Sequence, residues 1–185
     1  MINPDDVQDA INELERAAGL GLCSAMITEY PAEDHRYDQP EYELFWAAAA
    51  ALDMPLSLHT ATRRQGKIRG AGPGTLRDAS SRATKAFYPA LSLCDMIFSG
   101  VFERHPGLTL AMVEFELAWA PNVLASMDYT YRERHGEALP VQGRHEAQRL
   151  LPSQCRLELP GGHHRHSPAR RHRRRQHDVG LGLSA

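Results

Sequence analysis

Cysteine is scarce in this chain and lysine scarcer: 185 residues hold three cysteines and two lysines. Cys23, Cys94 and Cys155 are odd in number, widely spaced and free of any CxxC pair. That argues against a disulfide framework or a cysteine-built zinc site and fits a reduced, cytoplasmic compartment. No apolar run approaches the length that crosses a bilayer. The start, Met1 to Asp6, has neither a basic n-region nor an apolar h-region, so the expectation is a soluble, unexported protein. No glycine-rich phosphate loop follows any strand candidate, which removes the usual support for nucleotide binding.

Charge is distributed in two blocks. Residues 154–185 contain seven arginines, five of the ten histidines, no lysine and no aromatic residue. Their only acids are Glu158 and Asp178, so this tail is near +5 and residues 1–153 near −7. A body of that sign argues against a nucleic-acid or anionic-membrane surface. The reading is a globular domain over 1–153 and a disordered basic tail over 154–185, one core's worth of chain in all.

Within the body, helix and strand periodicities alternate. Asp5 or Asp6 can cap a helix with apolar positions Val7, Ala10, Ile11, Leu14 and Ala18, stopped by Gly19. Leu22 to Ile27 reads as a buried strand, Glu41 to Leu52 as an alanine-rich helix and Pro55 to Thr60 as a second strand. Ala61 to Arg77, with four glycines and Pro73, reads as a long loop of the kind that sits over active sites. A helical region follows from Ser81 to Glu103, with a kink or break expected at Pro89. Leu108 to Glu114 is a third strand. Leu117 to Arg134 is a last amphipathic helix, with Trp119, Val123, Leu124, Met127 and Tyr131 on one face. This alternation predicts an α/β fold with parallel strands and crossover helices, either a doubly wound sheet or part of a (β/α)8 barrel.

In both architectures chemistry gathers at the carboxyl ends of strands. His59, closing Leu56-Ser-Leu-His59, and Glu114, closing Leu110-Ala-Met-Val-Glu114, are the ionisable residues there. His59 fits a metal ligand, or a partly buried histidine bonded to a loop carbonyl. Glu114 fits a catalytic carboxylate, a partner for an arginine, or a first-turn acid favoured by the following helix dipole. Glu116 suits the same roles.

The wording around these positions is more specific than the periodicity. Glu41-Tyr-Glu-Leu-Phe-Trp46 leads into Met54-Pro-Leu-Ser-Leu-His-Thr60. Then come Asp95-Met-Ile-Phe-Ser-Gly-Val-Phe-Glu-Arg-His-Pro-Gly-Leu108, Met112-Val-Glu-Phe-Glu-Leu-Ala-Trp-Ala-Pro121 and Met127-Asp-Tyr129. Together they resemble the amidohydrolase-related, metal-dependent TIM-barrel family, which includes aminocarboxymuconate-semialdehyde decarboxylase and related hydrolases and decarboxylases. The resemblance runs from Ile11 to Gln154. It implies a partial (β/α)8 barrel and a small-molecule substrate such as an organic acid or amide. It also implies a divalent cation, most often Zn2+, with His59 as a metal ligand and Glu114 as a catalytic site residue. Such a cation activates a water for hydrolysis or stabilises charge that develops as carbon dioxide leaves.

Two features of that family are missing from the body: a His-x-His pair on the first strand and an aspartate in a Trp-Gly-Ser-Asp-Tyr-Pro-like ending. The single His-x-His, His164-Arg-His166, lies in the basic tail beside Gly161-Gly162 and Ser167-Pro168 rather than on an apolar strand, which suits adventitious metal capture. The expected barrel therefore lacks its first and last strands, and its metal site is incomplete. A noncatalytic remnant or binding module is the alternative, with pairing into a homo-oligomer as the way to cover open strand edges.

Two accounts of the tail are open: a genuine basic arm that binds nucleic acid or an acidic partner, and a change of reading frame, which the genetic code favours. If each codon takes the last two bases of one residue's codon and the first of the next, Arg173 to Ala185 is compatible with Gly-Val-Asp-Asn-Met-Met-Trp-Ala-Ser-Asp-Tyr-Pro. Leu159-Pro-Gly-Gly-His163 permits Phe-Gln-Glu-Asp in the same frame. Nineteen arginines against two lysines point to GC-rich coding, which yields Arg, His, Pro, Gly and Ala out of frame. A frameshift near Gln154 is the reading that follows.

Overall fold

The computed structural model describes residues 1–32, 34–60, 62 and 83–133, together with a backbone strand at 155–158. Helix α1, Val7–Gly19, is capped by Asp6, whose carboxylate accepts from the Asp9 amide at 2.9 Å. Its apolar stripe buries Ala10, Leu14 and Ala17. The helix runs through Gly19, and the left-handed residue that turns the chain is Gly21, at φ 81°. Strand β1 is Ala25–Ile27, shorter than the apolar run suggests because Leu22 stays exposed. A 3-10 turn, Pro40–Tyr42, leads into α2, Glu43–Ala51, and strand β2 follows at Leu56–His59.

Pro89 does not break the next helix. Helix α3, Phe87–Phe98, begins two residues before it, so Pro89 sits in the first turn, where a backbone N–H has no intrahelical acceptor to lose. The break comes at Gly100, whose φ of 75° is left-handed and separates α3 from the short α4, Val101–Arg104. Strand β3 is Leu110–Val113 and helix α5 is Ala120–Glu133.

A fourth strand, β4, Cys155–Glu158, pairs with β3, so the sheet has one strand more than the three read from the sequence. It extends past the domain boundary drawn at 153. The remainder of the tail, the frame argument and His164-Arg-His166 lie outside the described residues, as does the expected loop at 61–77 apart from Thr62.

The four strands are parallel and stand in chain order, β1-β2-β3-β4. A doubly wound sheet reverses its strand order at a switch point, whereas a (β/α)8 barrel adds each strand beside the last. The sequential order makes this sheet an arc of a barrel.

Register and burial assign the faces. Leu56 pairs with Leu110 and Leu58 with Met112, and all four are buried along with Ala25 and Ile27. Opposite them on the pleat, Met26, Ser57, His59, Ala111 and Val113 are only partly covered. The buried face joins a core that also takes in Trp46, Phe45, Leu93, Met96 and Phe102. Tyr37, Tyr42 and Trp46 pack edge-on or tilted at 5.2–5.7 Å between centroids. The partly covered face is the one a closed barrel turns inward, and His59 belongs to it.

Candidate active site

His59 is the last residue of β2 and pairs in register with Val113, so Glu114 leaves β3 one residue beyond the level of His59. The two residues singled out in the sequence therefore meet: His59 Nε2 lies 3.8 Å from Glu114 Oε2. Their side chains are 30% and 51% exposed, so the pair is open to a small molecule.

Thr60 organises both partners. His59 Nδ1 is 2.7 Å from the Thr60 carbonyl oxygen. A carbonyl can only accept, so Nδ1 carries the proton and the neutral ring keeps its lone pair on Nε2, the atom that faces Glu114. The Thr60 hydroxyl donates to Glu114 Oε2 at 3.2 Å. His59 is thus bonded to a loop carbonyl, and that bond leaves on Nε2 the lone pair that a metal ligand would use.

Among the described residues Glu114 pairs with no arginine, and it lies ahead of α5 rather than in its first turn. Its φ is 65° and that of Glu116 is 63°, a left-handed conformation that L side chains adopt at a cost of about 1–2 kcal/mol each. Between them Phe115 is 1% exposed and anchors the turn in the core. Glu116 is drawn aside by Lys85, whose Nζ donates at 2.6 Å, while the Glu116 carbonyl accepts from Trp119 Nε1 at 2.9 Å. Of the two acids, Glu114 is the one beside His59.

Three residues beside the pair carry no motif in the sequence. Thr28 and Glu29, just past β1, are 5% and 0% exposed, and Thr62 lies three residues past His59. The Glu29 amide donates to Thr62 Oγ1 at 2.8 Å, and Ser92 Oγ of α3 donates to the Glu29 carbonyl at 2.7 Å. Farther out, Arg36 bridges Asp38 and, at 3.9 Å, Asp95 of α3. Burial pushes the Asp95 carboxyl up to about 6 from the ordinary 3.8, against the attraction of Arg36.

An imidazole Nε2 and a carboxylate oxygen suit a divalent cation, but catalytic sites hold the ion with three protein ligands. Among the described residues no group of three or more His, Cys, Asp or Glu side chains is arranged to hold a metal. The described residues fit one side of such a site and not the whole. Nor, among the described residues, is any helix long and apolar enough to cross a membrane.

Comparison with known proteins agrees with the barrel fold. The gamma-resorcylate decarboxylase of Rhodococcus jostii (strain RHA1) is 29% identical over 118 residues, 58% of this chain and 35% of that protein. Among solved structures, the 5-carboxyvanillate decarboxylase of Sphingomonas paucimobilis superimposes with a TM-score of 0.66 at 22% identity, over 83% of this chain and 45% of that one. The dihydroxybenzoic acid decarboxylase of a Polaromonas species, holding manganese and the inhibitor 2-nitroresorcinol, gives 0.59 at 19% identity, over 85% and 48%. The chain thus spans less than half the length of these relatives. The amidohydrolase family profile matches residues 1–151, and the chain belongs to that family.

Proposed function

We propose that this chain carries part of the active site of a decarboxylase acting on aromatic hydroxy acids, with His59 and Glu114 as its reactive pair. The observation that carries the reading is the 3.8 Å approach of His59 Nε2 to Glu114 Oε2 at the carboxyl ends of adjacent parallel strands. Support comes from the gamma-resorcylate, carboxyvanillate and dihydroxybenzoate decarboxylases to which the chain is similar. In such a reaction the bond between ring carbon and carboxylate breaks, carbon dioxide leaves, and the electron pair left on the ring carbon takes up a proton. Glu114 is the group placed to handle that proton, and His59 Nε2, unprotonated in the neutral ring, is the ligand-type nitrogen beside it. A divalent cation, when bound, stabilises negative charge on the substrate; imidazole and carboxylate donors suit Mn2+ as they do Zn2+. Hydrolysis of an amide is the competing chemistry for the same pair.

The test is carbon dioxide release from 2,6-dihydroxybenzoate and 5-carboxyvanillate with Mn2+ or Zn2+ added, against release of amine from simple amides. Release that disappears in His59→Ala and Glu114→Gln supports the reading. Amide hydrolysis without carbon dioxide would replace it. A second reading, a noncatalytic remnant or binding module, is favoured by the want of a third donor among the described residues. Stoichiometric metal lost on His59→Ala argues for the enzyme, and metal-free protein with neither activity argues for the remnant. We further propose that residues 154–185 are read out of frame, which the coding DNA tests directly: an alternative frame without Trp-Ala-Ser-Asp-Tyr-Pro sinks it.

A further inference from the structure

We propose that Thr62 is a positioning residue: it ties the end of β1 to the end of β2 and thereby sets the pose of the His59 imidazole. The inference rests on the reading of His59 as a ligand-type imidazole and extends it to the groups that hold the ring. The Thr62 hydroxyl donates to the His59 carbonyl at 2.7 Å and accepts from the Glu29 amide at 2.8 Å, so one oxygen joins both strand ends. The Thr62 carbonyl accepts from Thr28 Oγ1 at 2.7 Å, with the Tyr30 carbonyl 3.0 Å from the same hydroxyl. The far side is firm. Tyr37, fully buried, donates through its hydroxyl to the Thr28 carbonyl at 2.9 Å, and Ser92 fixes Glu29 from α3.

The strut reaches the ring through the turn it closes. The Thr62 amide also points at the His59 carbonyl, 3.4 Å away, so Thr62 is tied back to His59, with Thr60 between them in the chain. The Thr60 carbonyl accepts the hydrogen bond from Nδ1–H, and its direction depends on the tie between Thr62 and His59. With the strut in place Nδ1 is protonated and Nε2 is bare. Without it the Thr60 peptide is free to rotate, and the ring relaxes toward the Nε2–H tautomer that free imidazole side chains prefer.

The experiment is nitrogen-15 NMR of the His59 ring in the full chain, at a pH where the imidazole is neutral. Wild type is expected to show Nδ1–H, Thr62→Ser to keep it, and Thr62→Val to move toward Nε2–H while remaining folded by circular dichroism. Folded Thr62→Val with the wild-type ring signature overturns the proposal. If Thr62→Val does not fold, Thr28→Val, which removes the bond to the Thr62 carbonyl along with the contact to the Tyr30 carbonyl, is expected to shift the tautomer in the same direction. An unchanged ring there overturns it equally. The readout does not use activity, so absence of decarboxylation would sink the functional reading and leave the strut standing, and an unchanged tautomer would do the reverse.

Discussion

At Glu114 the usual order of glycine and alanine should invert. In most positions glycine is less stable than alanine by about 0.5–1 kcal/mol, because glycine gives the unfolded chain more freedom. Glu114 has a φ of 65°, where an L side chain costs about 1–2 kcal/mol and glycine nothing. Both Glu114→Ala and Glu114→Gly lose the 3.2 Å bond from Thr60, so that loss cancels between them. What remains is relief of backbone strain less the entropy cost, leaving Glu114→Gly more stable than Glu114→Ala by about 1 kcal/mol. For a domain of this size that is about 3 °C in Tm. Urea and thermal denaturation of both variants measure it, and Leu52, an ordinary right-handed position at φ −80°, gives the control pair. If alanine equals or exceeds glycine at 114, the turn is not held left-handed and the aim of the carboxylate needs another cause.

Asp95, raised to about 6 from 3.8, favours the folded state when protonated. That stability is full below pH 3.8 and is lost as pH rises through about 6, so Asp95→Asn should flatten this part of the pH–stability curve and gain about 2 kcal/mol at neutral pH. Glu43 shows the opposite sign: hydrogen bonds from Arg104 and His105 lower its carboxyl below the ordinary 4.5. Its stabilisation is present above pH 4.5 and lost as pH falls through the depressed folded value. Being partly exposed, Glu43→Gln should cost about 1 kcal/mol at neutral pH by urea denaturation and nearly nothing in acid. Trp46→Ala, which empties a fully buried position, should cost about 3–5 kcal/mol by the same assay.

How much of this was legible in the sequence varies with the range of the forces involved. The α/β alternation and the strand ends that carry His59 and Glu114 follow from short-range patterns, whereas their approach to 3.8 Å rests on β2 and β3 being neighbours in register. The choice between a doubly wound sheet and a barrel arc does not, since both share the local pattern and differ only in strand order. Pro89 reads as a breaker until the start of α3 is known, and Gly100, which does break the helix, resembles any other glycine until its φ is seen. Helix α1 does end at Gly19, but the left-handed residue that turns the chain is Gly21, unseen for the same reason. Thr28, Glu29 and Thr62 were invisible because their bonds cross 33 and 34 positions of chain. Strand β4 was hidden by the basic composition around it, although Cys155–Glu158 pairs with β3 residue by residue.

The most direct measurement is an NMR titration of the full chain with Mn2+ alone, following which residues the paramagnetic ion broadens first. The account predicts early, local broadening at His59, Thr60 and Glu114 that is lost in His59→Ala. Broadening confined to His163, His164 and His166 of the tail, with His59 untouched, would contradict it and leave the 3.8 Å pair without a metal-facing role.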